Sequence, residues 1–275
     1  MTFGERLQAA FDSGGHLCVG IDPHAFLLKQ WKLTDDAAGL REFGLRVVDA
    51  ASTRAAIVKP QVAFFERHGS AGYRALEEVL RAARAAGLLV IADAKRGDIG
   101  STFDGYAEAW LTPGSPLEAD ALTVSPYLGI GSIAGPRDFA TQHGKGLFVL
   151  SATSNPEALS LQTSRTGSGV TVAAGIVEEV KRWNSDEKGL GSTGLVLGAT
   201  LDLADFGITD LANIPVLAPG FGHQGAQVSA LRSLYGAAAE NVLVSSSRSI
   251  LAAGPSGIAA AITRQADEVA EALAA

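Results

Sequence analysis

Short apolar runs recur along the chain at 16–22 (HLCVGID), 55–60 (AAIVKP), 88–95 (LLVIADAK), 119–124 (ADALTV), 146–152 (GLFVLSA), 194–199 (GLVLGA), 214–218 (IPVLA) and 241–245 (NVLVS). Most are bounded by glycine, proline or polar turn residues, and their near-continuous apolarity is what strands buried on both faces require. Between them the period changes. Segments 73–86 (YRALEEVLRAARAA) and 170–183 (VTVAAGIVEEVKRW) repeat apolar residues at spacings of three and four, which gathers them on one face of a helix. The opening stretch MTFGERLQAAFDSGG reads as a further helix. Eight strands alternating with helices over ~250 residues is the arithmetic of a TIM (β/α)8 barrel, with an open doubly wound sheet as the alternative. No Pro/Ser linker, low-complexity tract or compositional break divides the chain, so residues 1–275 are expected to form one domain, with 184–192 as a solvent loop.

With 47% hydrophobic and 19% charged residues there is ample material for a core and no case for disorder. Against 22 Lys and Arg stand 29 Asp and Glu, a formal charge of −7. That balance argues against nucleic acid or an anionic membrane as partner, and an anionic ligand would need locally placed cations. Cys18 is the sole cysteine, which excludes an intrachain disulfide framework and a cysteine-rich zinc site and makes the cytoplasm the natural compartment. The N-terminus carries Glu5, Arg6 and Asp12 and lacks the apolar core of a secretory signal. The longest uncharged stretch, 211–231, contains Asn213, Pro215, Pro219 and several glycines, too polar for a membrane span.

In a barrel of this kind chemistry sits at the C-terminal strand ends. There the first run carries Asp22, the second Lys59, and the third Asp93 and Lys95, with Asp98 in the loop beyond. Asp93 and Lys95 are two apart and so share a face of a strand. Lys59, Asp93, Lys95 and Asp98, two cations and two anions, can sit close together, as a catalytic set or as a purely structural ion-pair network. Ser101 and Thr102 follow, able to cap a helix or to meet a ligand. After the fifth run, SATSNP (151–156) offers hydroxyls and an amide suited to the edge of a polar ring. After the seventh and eighth runs, PGFGHQG (219–225) and SSSR (245–248) supply glycines, Gln224 and Arg248 where barrels often hold a phosphate. The five histidines show no metal-ligand spacing, and no Gly-x-Ser-x-Gly elbow is present. Cys18, inside an apolar run, reads as a core thiol.

At 93–102, DAKRGDIGST, the sequence resembles the orotidine 5′-phosphate decarboxylase family, in particular its longer bacterial subgroup. The likeness extends in order through VGIDP (19–23), IVKPQVAFFE (57–66), SATSNP, PGFGHQG and SSSR, most of the chain. It implies a homodimeric TIM barrel that removes CO2 from orotidine 5′-monophosphate to give UMP, the last step of UMP synthesis, with neither metal nor organic cofactor. By that resemblance Lys95 protonates C6 of the ring and Asp93 stands beside the departing CO2. Lys59 and Asp98 complete the set, and Asp98 and Thr102 enter the neighbouring subunit's site. Asp22 and Lys59 would hold the ribose, Thr153 or Ser154 would read the pyrimidine, and Pro219, Gln224 and Arg248 would grip the phosphate. Shorter members resemble Gly-Arg where this chain has Ser247 before Arg248, which bears on the local backbone.

Two other readings remain open at this stage. The Asp-x-Lys-x-x-Asp strand end also resembles the magnesium-dependent hexulose-phosphate synthases and keto-gulonate-phosphate decarboxylases. A catalytically silent nucleotide binder is the other, although such a protein has little use for a lysine poised over a ring carbon.

Overall fold

The computed structural model describes residues 1–222 and 225–275. Eight parallel strands, β1 (Leu17–Ile21), β2 (Ile57–Pro60), β3 (Leu89–Arg96), β4 (Ala121–Val124), β5 (Gly146–Ala152), β6 (Thr193–Leu197), β7 (Val216–Pro219) and β8 (Val242–Ser246), close into a barrel in chain order. β1 pairs with β8 through Leu17↔Val244, so the sheet has no edge and the open doubly wound alternative falls. Every predicted run overlaps its strand, with ends displaced by at most two residues. The predicted helices lie at Gly69–Ala85 and Val172–Trp183. The N-terminal helix, Phe3–Asp12, opens on a capping box in which Thr2 and Glu5 satisfy each other's backbone N–H groups.

Two apolar clusters form the core. The larger fills the space between strands and outer helices. The smaller fills the barrel itself with Cys18, Ile57, Ile91, Phe148, Val196 and Leu243 among others, and the N-terminal helix closes its floor with Phe3, Leu7 and Phe11. Gly146 shows how tightly that floor is packed: a Cβ there would lie 2.3 Å from the Phe3 ring.

The 184–192 segment is an irregular loop, exposed at 185, 186, 188 and 189 as its polar sequence suggested, but both its ends are buried. Asn184 is buried and donates from Nδ2 to the Thr193 carbonyl at 2.8 Å, and Leu190 is buried in the floor cluster. The barrel base needs a second apolar plug beside the N-terminal helix, and a single leucine in a polar, glycine-containing run supplies it. The outer ring also thins late in the chain: between β6 and β7 there is only a 3-10 turn, Leu203–Phe206, and between β7 and β8 the α-helix is the short Leu231–Tyr235.

Barrel strands alternate inward and outward, so inward positions can be counted in twos. Going up β1 and β2, Cys18 is followed by Gly20 and Asp22, and Ile57 by Lys59 and Gln61. On β3, β4 and β8 Ile91 gives way to Asp93, Ala121 to Thr123, and Leu243 to Ser245 and Ser247. Each of these five inward series passes from apolar at the floor to polar at the C-terminal mouth, which places the chemistry there.

Candidate active site

A cavity of about 440 Å³ opens at that mouth, within the range of small-molecule sites. At its centre Lys59 Nζ donates to Asp93 Oδ2 at 2.8 Å, with both side chains 8% exposed. Lys95 Nζ donates to the other oxygen, Oδ1, as does the Thr123 hydroxyl at 3.0 Å, and Gln61 Nε2 adds a bond to Oδ2 at 3.1 Å. Burial alone would raise the Asp93 carboxyl, but Lys59 and Lys95 outweigh it and hold the group well below the usual carboxylate range. Burial would likewise lower Lys59, yet Asp93 and then Asp22 hold its ammonium above its ordinary value. At neutral pH this is a charged carboxylate shared by two lysines. Of the pair Lys95 is the reachable one, its side chain 46% exposed.

Lys95 reaches that position through an irregular backbone. Its φ is +48°, and the β3–β4 register shifts between Ala92 and Arg96. Left-handed backbone costs a residue with a Cβ about 1–2 kcal/mol, so neighbours must hold it. The Lys95 N–H donates to Thr123 Oγ1 at 2.9 Å. Next along, the Arg96 guanidinium donates to Glu66 and to the Tyr73 hydroxyl, both at 3.0 Å, and its carbonyl accepts the Ser125 N–H. Asp93 and Lys95 do converge as the two-residue spacing suggested, but through a bulge rather than a regular strand.

Around this centre the other candidates fall into place. Asp22 lines the cavity, and its Oδ1 is buried with no hydrogen-bond partner. Pro219, Gly220, Phe221, Ser247 and Arg248 line one end of the cavity. Gly220 has φ +121°, a conformation that favours glycine in this turn. Ser247 finds its space from β1: a Cβ on Gly20 would lie 2.6 Å from the Ser247 Cβ. The Ser247 side chain occupies space that a side chain at position 20 would need. Gln224, and His223 beside it, lie outside the described residues.

Thr153, Ser154 and Asn155 line the cavity on the β5 side. Thr153 is engaged within its own loop: its hydroxyl donates to Asn155 Oδ1 at 2.8 Å and accepts from Gln162 Nε2 at 3.0 Å. Ser154, exposed beside it, is the better placed of the two to meet a ligand. Leu150, Val196 and Leu217 supply an apolar wall.

Asp98 and Thr102 are not brought to this cavity. Asp98 Oδ1 accepts the Ile99 N–H at 2.8 Å, and Thr102 is exposed in the first turn of the helix Gly100–Leu111. Neither Ser101 nor Thr102 caps that helix; Ile99 is the N-cap residue. Ile99, Tyr127 and Leu128, on the loops after β3 and β4, are 62%, 76% and 54% exposed. His16 stacks on Phe11 and is a packing residue, whereas His24, stacked on Phe26 and edge-on to Phe64, lies close enough to Asp22 and Arg248 to feel both charges. Cys18 is a core thiol as expected, with burial pushing it up to about 12.

Gln61 and Thr123 were not singled out from sequence, although counting upward in twos from Ile57 and Ala121 reaches both. Gln265 had no such signal. It comes from the C-terminal helix Gly254–Ala274, and its Oε1 accepts from Ser246 at 2.8 Å and Ser249 at 3.2 Å, bracing the turn that carries Arg248.

A parallel barrel with a Lys–Asp–Lys centre and a glycine- and arginine-lined end defines a TIM-barrel enzyme built for an anionic small molecule. Comparison with known proteins narrows this class. The sequence model of the orotidine 5′-phosphate decarboxylase / HUMPS family matches residues 15–263, which contain every candidate above. The chain is 50% identical to the orotidine 5′-phosphate decarboxylase of Salinispora arenicola, over 98% of this chain and 95% of that one. It is 52% identical to that of Streptomyces coelicolor, over 92% and 91%. Among solved structures, a Streptomyces avermitilis chain superposes with a TM-score of 0.95 at 50% identity, covering 100% of this chain and 96% of that one. Leishmania donovani OMP decarboxylase superposes with a TM-score of 0.81 at 31% identity, covering 100% of each. The chain belongs to the orotidine 5′-phosphate decarboxylase / HUMPS family.

Proposed function

We propose that this chain is a carboxy-lyase that converts orotidine 5′-monophosphate to UMP and CO2, the last step of UMP synthesis, without metal or organic cofactor. The observation that carries the reading is the ion-paired Lys59–Asp93–Lys95 row lining the same cavity as Arg248 and the glycine turn. The bond from C6 of the ring to its carboxylate breaks, CO2 leaves, and the electron pair stays on C6. The Lys95 ammonium stabilises that carbanion and then donates a proton to it, giving UMP and a neutral amine that regains its proton from water. Asp93, already ionised, repels the substrate carboxylate until CO2 departs.

The same reading gives the remaining residues their roles. Asp22, whose Oδ1 has no partner within the protein, and Lys59 hold the ribose hydroxyls. Ser154 reads the pyrimidine edge in preference to Thr153. Pro219, Gln224 and Arg248 take the phosphate. Asp98 and Thr102 serve the site of a second copy in a homodimer, an arrangement supported by their place outside their own cavity and by the exposed Ile99, Tyr127 and Leu128 nearby. Residues 1–275 act as one domain. Among the described residues no helix is long and apolar enough to cross a membrane, and cytoplasmic placement is part of the proposal.

The test is turnover of orotidine 5′-monophosphate by purified protein in EDTA, followed by the loss of substrate absorbance and the appearance of UMP. Stoichiometric UMP is the expected result. Inertness in EDTA with activity on a hexulose phosphate in Mg²⁺ would assign the chain to the magnesium-dependent branch, and tight UMP binding without turnover on either substrate would make it a binder.

A further inference from the structure

We propose that Thr123 is a positioning residue for the decarboxylation, its one hydroxyl fixing both the Asp93 carboxylate and the left-handed backbone of Lys95. The inference rests on the decarboxylase reading of the site. Thr123 is 1% exposed, at an inward position on β4 across from Phe148 on β5. A buried hydroxyl must find partners, and this one uses both of its capacities on the catalytic row: it donates to Asp93 Oδ1 at 3.0 Å and accepts from the Lys95 N–H at 2.9 Å. A valine would fill the same volume at an apolar strand position, so the hydroxyl is a chemical choice rather than a packing one.

The location gives the hydroxyl leverage. The β3–β4 pairing is lost between Ala92↔Leu122 and Arg96↔Val124, so over this stretch the regular ladder does not fix the β3 backbone. The Thr123 side chain takes over that task at Lys95, whose φ of +48° would otherwise be free to relax. Relaxation would swing the Lys95 side chain, and with it the ammonium that must face C6. The same hydroxyl bond keeps Oδ1 of Asp93 turned toward Lys95, while Lys59 and Gln61 hold Oδ2. Thr123 itself does not line the cavity, so it acts through its neighbours and contributes nothing to substrate affinity.

Thr123→Val and Thr123→Ser separate this role from a packing role. Thr123→Val is expected to lower kcat about 10- to 100-fold with KM for orotidine 5′-monophosphate within about twofold of wild type, because misplacing a reacting group costs rate rather than binding. Thr123→Ser, which keeps the hydroxyl, is expected to retain kcat within about threefold. An unchanged kcat in the valine variant would overturn the inference, and so would a serine variant as impaired as valine. The crystal structure of Thr123→Val supplies a readout independent of activity: Lys95 leaving the left-handed region, or a rotated Asp93 carboxylate, is expected, and an unmoved pair refutes the positioning role. Should the wild-type enzyme fail to turn over the nucleotide, the decarboxylase reading falls while this structural comparison still decides what Thr123 holds.

Discussion

Lys95→Ala is expected to lower kcat for orotidine 5′-monophosphate by on the order of 10⁴-fold in a protein that stays folded. Two contributions are lost together. General acid catalysis by a positioned group supplies about 10²–10⁴-fold, and a fixed cation aimed at developing negative charge a further 10²–10³ or so, the two being inseparable when one ammonium does both. The fold should survive because Lys95 is half exposed and because Lys59, Gln61 and Thr123 still satisfy Asp93 after its removal. Alanine keeps the Cβ, so the backbone at this position faces the same left-handed geometry as before. Steady-state kinetics with circular dichroism and UMP binding check the expectation. A variant that turns over normally would mean that another group delivers the proton.

Arg248→Ala should act on binding, raising KM and the Kd for UMP by roughly 10²–10⁴-fold, since each charge-assisted hydrogen bond to a phosphate contributes about 1.5–3 kcal/mol and a guanidinium can make two. Arg248 lines the same cavity as the lysine row but stands on the loop after β8, with Ser247 and the glycine turn after β7 beside it. In the proposed role Arg248 contacts a phosphate that does not react, so the interaction would be present in ground and transition states alike and would show mainly in KM. A smaller fall in kcat is expected where phosphate binding helps to hold the ring in place. The opposite pattern, a large loss in kcat with KM unchanged, would place Arg248 in the chemistry instead of the grip.

The barrel was legible because parallel strands covered on both faces must be apolar, and eight such runs left few arrangements. The strand-end charges were legible for the same reason: Asp22, Lys59, Asp93 and Lys95 interrupt apolar runs at the end where barrels place chemistry. What remained hidden depended on tertiary context. The bulge at Lys95 arises from how β3 meets β4 and leaves no local mark, since lysine is not a residue chosen for positive φ. Leu190 sits in a run that is polar in composition, and only the geometry of the barrel floor turns it inward. Gln265 reaches the Arg248 turn from a helix that begins several residues later, a contact no spacing rule anticipates. The room that Gly20 leaves for Ser247 is visible only when β1 and β8 lie side by side.

Asp98 and Thr102 are the residues on which the proposed site depends most and which a single chain does not bring to it. The most direct test is to mix two inactive variants, Lys95→Ala and Asp98→Ala, after mild dissociation and reassociation. If each site takes Lys95 from one subunit and Asp98 from the other, random pairing makes about half the dimers mixed, each with one intact site, so activity should recover to about a quarter of wild type. Recovery to that level is the predicted result. Two variants that are each inactive and stay inactive after verified subunit exchange would contradict a site completed by its partner.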